Sequence, residues 1–82
     1  MAEARETVKV RLRGHLWRHE TSQRSEVELA WRKGRQMGEL LRSLGVSEEQ
    51  VMLILVRGNP ETLSYEPLPG DDIEVLPVID GG

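Results

Sequence analysis

The chain has 82 residues, of which 38% are hydrophobic, 30% charged and 4% aromatic, with no cysteine, no phenylalanine and a net charge of −3. That length holds one domain, and the composition is too apolar and too near neutrality for a disordered chain. The longest apolar run is the six residues Val51 to Val56, far short of the roughly 18 a membrane helix needs; disulfides and thiolate metal sites are excluded, and the N-terminus lacks the apolar stretch of a secretory signal. A cytoplasmic domain without membrane attachment is the expectation. So small a domain buries only about 60% of its unfolded surface, which leaves little chain for a deep catalytic pocket and favours a binding or carrier role.

Residues 8–13, Val-Lys-Val-Arg-Leu-Arg, alternate strictly. Period two predicts a strand with Val8, Val10 and Leu12 on a core and Lys9, Arg11 and Arg13 in water. Residues 26–31 alternate as well, with Val27, Leu29 and Trp31 inward and Glu26 and Glu28 outward. Opposite charges on the two outer faces predict an antiparallel hairpin. The connection from Gly14 to Arg24 reads as a polar loop in which Trp17 folds back onto the sheet edge. His15 and His19 stand at i, i+4 there, but without a third ligand they read as solvated residues rather than a metal site.

Met37, Leu40, Leu41 and Leu44 form the apolar stripe of a short helix, and Gly45 marks its end. No Ser, Thr, Asp or Asn marks its beginning. The bounded run Val51–Val56 predicts a strand with both faces covered or one reserved for a partner. A weak strand is expected at about Glu61 to Ser64, then a turn over residues 67–72, then a last strand from Ile73 to Val78. Two hairpin-joined strands, a helix and further strands predict an α+β β-grasp domain, a mixed sheet of four to five strands packed on one helix. A right-handed connection then lets the first and last strands lie parallel, with the last strand central. The domain is expected over residues 1–78 and a free tail over residues 79–82. If Ile54 and Val56 meet the helix, Leu53 and Leu55 face away, with Leu76 and Val78 beside them as an apolar docking patch.

Charge is unevenly distributed: residues 1–42 carry ten Lys or Arg against six Asp or Glu, and residues 43–82 carry one against eight. The acidic second half disfavours nucleic acid and favours a partner protein with a basic surface. No GxSxG elbow or phosphate-binding glycine loop occurs, so no intrinsic enzyme activity is expected.

The sequence closes on Asp80-Gly81-Gly82. Two residues without Cβ form a thin strip of backbone able to enter a narrow cleft, and from Val78 the tail spans up to about 14 Å. A carboxylate so delivered becomes electrophilic only when a partner adenylates it, after which a sulfur nucleophile gives a thiocarboxylate and a lysine gives an isopeptide bond. The chain has no thiol of its own, so any sulfur comes from a partner.

The stretches Val8–Gly14, Gly38–Val46, Leu53–Gly58 and Leu68–Val78, in this order and followed by Gly81-Gly82, resemble the MoaD/ThiS family of ubiquitin-like sulfur carriers. The resemblance implies a ubiquitin-like β-grasp fold, activation by an adenylating enzyme that uses ATP, no bound cofactor, and sulfur carried on Gly82, with Gly81 beside it. Pro77 and the chain length resemble the small subunit of molybdopterin synthase more than the thiamin carrier, which implies the synthase large subunit as acceptor and a place in molybdenum cofactor biosynthesis. A thiamin-type or tRNA-thiolation carrier and a ubiquitin-like modifier stay open, as does a plain interaction module whose tail has no chemistry. Arg57 stands where the family often has Asn, Gln36 where it has a capping Thr, and Asp80 where a small neutral residue is commoner. Leu53, Leu55, Leu76, Val78 and Asp80 are the expected partner-binding residues.

Overall fold

The structure is a computed structural model and describes residues 6–20 and 23–78. Its elements are β1 (Thr7–Leu12), a 3-10 turn (Leu16–His19), β2 (Glu26–Ala30), α1 (Met37–Leu44), a second 3-10 turn (Glu48–Gln50), β3 (Val51–Val56), β4 (Asn59–Glu61) and β5 (Asp72–Pro77). The five strands form one mixed sheet in the order β2-β1-β5-β3-β4. β5 runs parallel to β1 and antiparallel to β3, so the last strand is central, as the element order predicts. No helix among the described residues is long and apolar enough to cross a membrane.

The alternating segments behave as period two requires. β1 and β2 pair antiparallel with Lys9 opposite Glu28 and Arg11 opposite Glu26, and the Lys9 ammonium lies 3.5 Å from the Glu26 carboxylate. Such exposed ion pairs are worth only about 0–1 kcal/mol each, so they favour the register more than the fold. The fold rests on the other face, where Val8, Val10, Leu12, Val27, Ile54, Val56, Ile73 and Val75 form one buried cluster with Met37, Leu40, Leu41 and Leu44 of the helix. Trp31 is half-buried at the margin of this core, not inside it, because its indole Nε1 donates to the Pro67 carbonyl at 2.8 Å.

Two expectations need correction. The fourth strand lies at Asn59–Glu61 and not at Glu61 to Ser64. Arg57 and Gly58 both adopt positive φ, 53° and 86°, the conformation of a two-residue type I′ hairpin turn, which pairs the residues that immediately follow it. Asn59 therefore meets Val56 and Pro60 meets Leu55. Pro60 occupies an outer edge, where its missing N–H costs nothing. The connection from Gly14 to Arg24 is also no simple polar loop. Leu16 is fully buried and belongs to the core cluster, while Trp17 folds back and packs against it.

The start of α1, which no Ser, Thr, Asp or Asn marks, is closed by a local capping box of Gln36 and Glu39 and by carbonyls from elsewhere in the chain. Glu39 Oε1 accepts the Gln36 N–H at 3.0 Å. The Met37 and Gly38 N–H groups donate to the carbonyls of Tyr65 and Leu63 at 2.8 and 2.9 Å. The segment between β4 and β5 thus supplies acceptors that a Ser or Thr cap would otherwise provide. That segment is pinned by Asp71, a buried carboxylate whose Oδ2 accepts the Tyr65 hydroxyl at 2.6 Å and the Leu68 N–H at 2.8 Å. Its Oδ1 lies 3.4 Å from Arg57 Nε.

Burial, then the hydrogen bond to Asp71, pushes the Tyr65 hydroxyl up to about 12. The folded state keeps the phenolic proton more tightly than the unfolded chain, so this stabilisation is complete below about pH 10 and is lost as pH rises towards 12. Tyr65 is the only tyrosine, so tyrosinate absorbance reads it directly: ionisation is expected near pH 12, and Tyr65→Phe is expected to remove the alkaline loss of stability in that window. Leu16→Ala is expected to cost about 2–5 kcal/mol in urea unfolding, the range for a core leucine and far above that for an exposed loop position.

Candidate functional site

The C-terminal end of β5 is held at two points. Pro77 is buried, and a Cβ at Gly14 would lie 2.8 Å from its Cγ. Gly14 also adopts φ +58°, so both the close approach and the backbone conformation call for glycine. One residue on, the Val78 N–H donates to the Gln50 carbonyl at 2.9 Å. The ring wedged on one loop and the hydrogen bond to another fix where the chain leaves the sheet. Val78 itself is 43% exposed.

Around this exit the face of the sheet away from the helix is apolar. Ile54 and Val56 are buried against the core, which turns Leu53 and Leu55 to the opposite side. Leu53 pairs across the ladder with Leu76, and Leu55 stands opposite Glu74. Leu53, Leu55 and Leu76 are half-buried. Between Val51, which pairs with Pro77, and Leu53 the register shifts, and the extra residue of this bulge, Met52, is 58% exposed. Period two alone places Met52 on the core side with Ile54; the bulge places it in water.

The rest of this face is charged. Arg11 Nη2 lies 3.2 Å from Asp72 Oδ2, and Arg13 pairs with Glu74. The row of Leu55 and Glu74 is thus the border between an ion-paired half over β1 and an apolar half over β3 and the end of β5. Four of the residues expected to bind a partner, Leu53, Leu55, Leu76 and Val78, are brought to this apolar half. Asp80, Gly81 and Gly82 lie outside the described residues. Met52, Gly14 and Gln50 are the additions that geometry makes to the sequence reading. Of these, only Gly14 carried a signal, a glycine immediately after an alternating strand.

A family model described as Mut7-C ubiquitin matches residues 2–81. Among solved structures, the crystal structure of the Haloferax volcanii small archaeal modifier protein 1 superposes with a TM-score of 0.69 at 15% identity, covering 90% of this chain and 99% of that one. The solution structure of the Haloferax volcanii HVO 2177 protein gives 0.71 at 15% identity, covering 100% and 92%. At 15% identity these similarities are of fold.

The exit geometry is open to a paired test. Gly34 also has positive φ, +79°, but nothing lies within 4 Å of a Cβ placed there. Gly34→Ala is therefore expected to show only the left-handed backbone cost, about 1–2 kcal/mol. Gly14→Ala is expected to cost more, by roughly 1–3 kcal/mol of overpacking against Pro77, and to speed hydrogen exchange at the Val78 amide. Equal costs for the two, with Val78 exchange unchanged, contradict the wedge.

Proposed function

The chain belongs to the Mut7-C ubiquitin family, among the ubiquitin-like β-grasp carriers and modifiers that its sequence resembles, and from that premise we propose that it is a sulfur carrier loaded at Gly82. The observation that carries this reading is the placement of β5: the last strand lies in the middle of the sheet, and its end is fixed at Pro77 and Val78 beside an apolar surface. A partner that docks on Met52, Leu53, Leu55 and Leu76 receives whatever follows Val78 at a set position. Four further residues reach up to about 14 Å beyond it.

In the proposed reaction the Gly82 carboxylate attacks the α-phosphorus of ATP in the activating enzyme and releases pyrophosphate. The acyl-adenylate is then attacked by the terminal sulfur of a partner's persulfide, and AMP leaves. A partner thiol reduces the resulting acyl disulfide, which frees the thiocarboxylate. The domain contributes docking and delivery; its lack of cysteine keeps the activated end from being captured within the chain. Following the resemblance, the acceptor proposed is the large subunit of a molybdopterin synthase, and the product serves molybdenum cofactor biosynthesis. The modifier reading shares the adenylation step and differs in the nucleophile, a target lysine in place of sulfur. The fold likeness to proteins described as small archaeal modifiers makes it the second reading.

Reconstitution with an adenylating enzyme from the same cell separates these readings from an inert tail. ATP–pyrophosphate exchange is expected to depend on the protein and to disappear when Gly82 is deleted. Leu55→Glu, at a half-buried position on the outer face, is expected to weaken exchange at least about tenfold through KM while the domain stays folded. Exchange that survives both changes contradicts loading at Gly82 and docking at the patch. If exchange is intact but product appears only on target lysines, the modifier reading replaces the carrier one.

A further inference from the structure

The two edges of the sheet are built differently. β4, at one edge, is three residues long and contains Pro60, which blunts it against further pairing. β2, at the other edge, is a five-residue strand without proline. The Trp31 N–H donates to Glu6 and Leu12 donates to Ser25, so in this antiparallel register residues 25, 27, 29 and 31 turn their main-chain groups to β1. Glu26, Glu28 and Ala30 turn theirs outward. The Ala30 carbonyl is covered by Arg35, whose Nη2 donates to it at 2.8 Å. The N–H and C=O of Glu26 and Glu28 and the N–H of Ala30 remain as an open ladder.

The side chains along this ladder select what can fill it. A shallow groove of about 670 Å³ lies at the Ala30 end of the β1–β2 pair, lined by Glu6, Thr7, Glu28, Leu29, Ala30 and Trp31. Among the described residues that line it, the two charged ones are both acidic, and the Arg35 guanidinium sits at its Ala30 end. Glu28 accepts the Thr7 hydroxyl at 3.0 Å, whereas the nearby Lys9 makes its ion pair with Glu26; neither Glu6 nor Glu28 has an ion pair among the described residues. Trp31 is half-buried and lines the same groove. A second copy of this chain, added antiparallel, would set Glu26 and Glu28 against their own equivalents, and like charges directly across a ladder are destabilising. A segment with Lys or Arg at alternate positions meets the opposite situation.

From this juxtaposition we infer that the β2 edge is a second docking surface, which takes an extended segment of a partner protein as a sixth strand. The segment alternates apolar and basic residues, with its Lys or Arg side chains on the outer face beside Glu28 and its apolar ones on the helix side beside Leu29 and Trp31. The inference goes beyond the loading of Gly82, since the edge lies across the sheet from the apolar patch and uses no part of the tail.

The probe is the synthetic peptide acetyl-Val-Arg-Val-Arg-Val-amide, titrated into the isotopically labelled protein. The expected result is saturable shifts and slowed exchange at the Glu26, Glu28 and Ala30 amides. A peptide N-methylated at every amide, with the same charges but no donors, is expected not to bind. Glu28→Lys, at an exposed position, is expected to weaken the arginine peptide at least about tenfold and to strengthen a Val-Glu-Val-Glu-Val peptide in its place. The inference is overturned by absence of binding, by equal binding of the N-methylated peptide, or by shifts centred on Leu53, Leu55 and Leu76. It is equally overturned if the protein alone self-associates through the β2 amides, which would make the occupant a second copy.

Discussion

The parallel pairing of β1 with β5 is the constraint on which the rest of this molecule depends. It joins residues more than sixty positions apart, Lys9 with Asp72 and Leu12 with Val75, and the connection through α1 crosses one face of the sheet to reach the strands on the other side of β5. The helix stripe from Met37 to Leu44 covers that face and joins both strands in one core. Because β5 pairs with β1 on one side and β3 on the other, the end of the chain leaves from the middle of the sheet and not from a frayed edge. Long-range parallel pairing forms slowly, since its loop-closure cost precedes its reward. The fold therefore invests in local devices that hold the crossover in place.

The segment between β4 and β5 is the chief of these devices. Its carbonyls at Leu63 and Tyr65 close the start of the helix, the Pro67 carbonyl holds Trp31, and the Gly70 N–H reaches Thr7 at the start of β1. Asp71 organises the segment from within by satisfying Tyr65, Leu68 and Arg57 together. A buried carboxylate is tolerated only when its oxygens are bonded in this way. The result is a stiff frame behind β5, with Gly14 and Gln50 fixing the point of exit in front. Stability on one side and a fixed point of exit on the other are two consequences of the same strand position.

Much of this was legible in the sequence, because periodicity reports burial directly. The alternation of residues 8–13 and 26–31, the Met37–Leu44 stripe, the apolar run at Val51–Val56 and the stretch from Ile73 to Val78 mark β1, β2, α1, β3 and β5, and their order implies the central place of the last strand. The misses share a physical origin. A lone Leu16 among polar neighbours has no period, so its burial is decided by tertiary packing and not by its surroundings in sequence. β4 was shifted because the positive φ of Arg57 set the hairpin register, where an asparagine or glycine is the usual signal. The bulge at Met52 inverted one residue's side, and no local pattern announces a bulge. The helix start is closed by a capping box of Gln36 and Glu39, a local pattern, and by the carbonyls of Leu63 and Tyr65, which are too far along the chain for any local motif to reveal. Of the candidate site, the apolar residues were readable from alternation, while Gly14 and Gln50 became visible only in three dimensions.

The outer surface thus divides into three zones: an apolar zone at the exit of β5, an ion-paired zone across β1, and an open acidic edge at β2. The proposal for function rests on the first, and on a chain end that is chemically loaded after it leaves Val78. The most direct measurement is the intact mass, with sequencing of the C-terminal peptide, of the protein purified from its native cell under reducing, thiol-preserving conditions. The account predicts a polypeptide ending at Gly82, part of it heavier by about 16 Da where sulfur replaces one carboxylate oxygen. A natural chain that continues past Gly82 without being processed, or an end that carries neither sulfur nor a covalent partner under any growth condition, contradicts it.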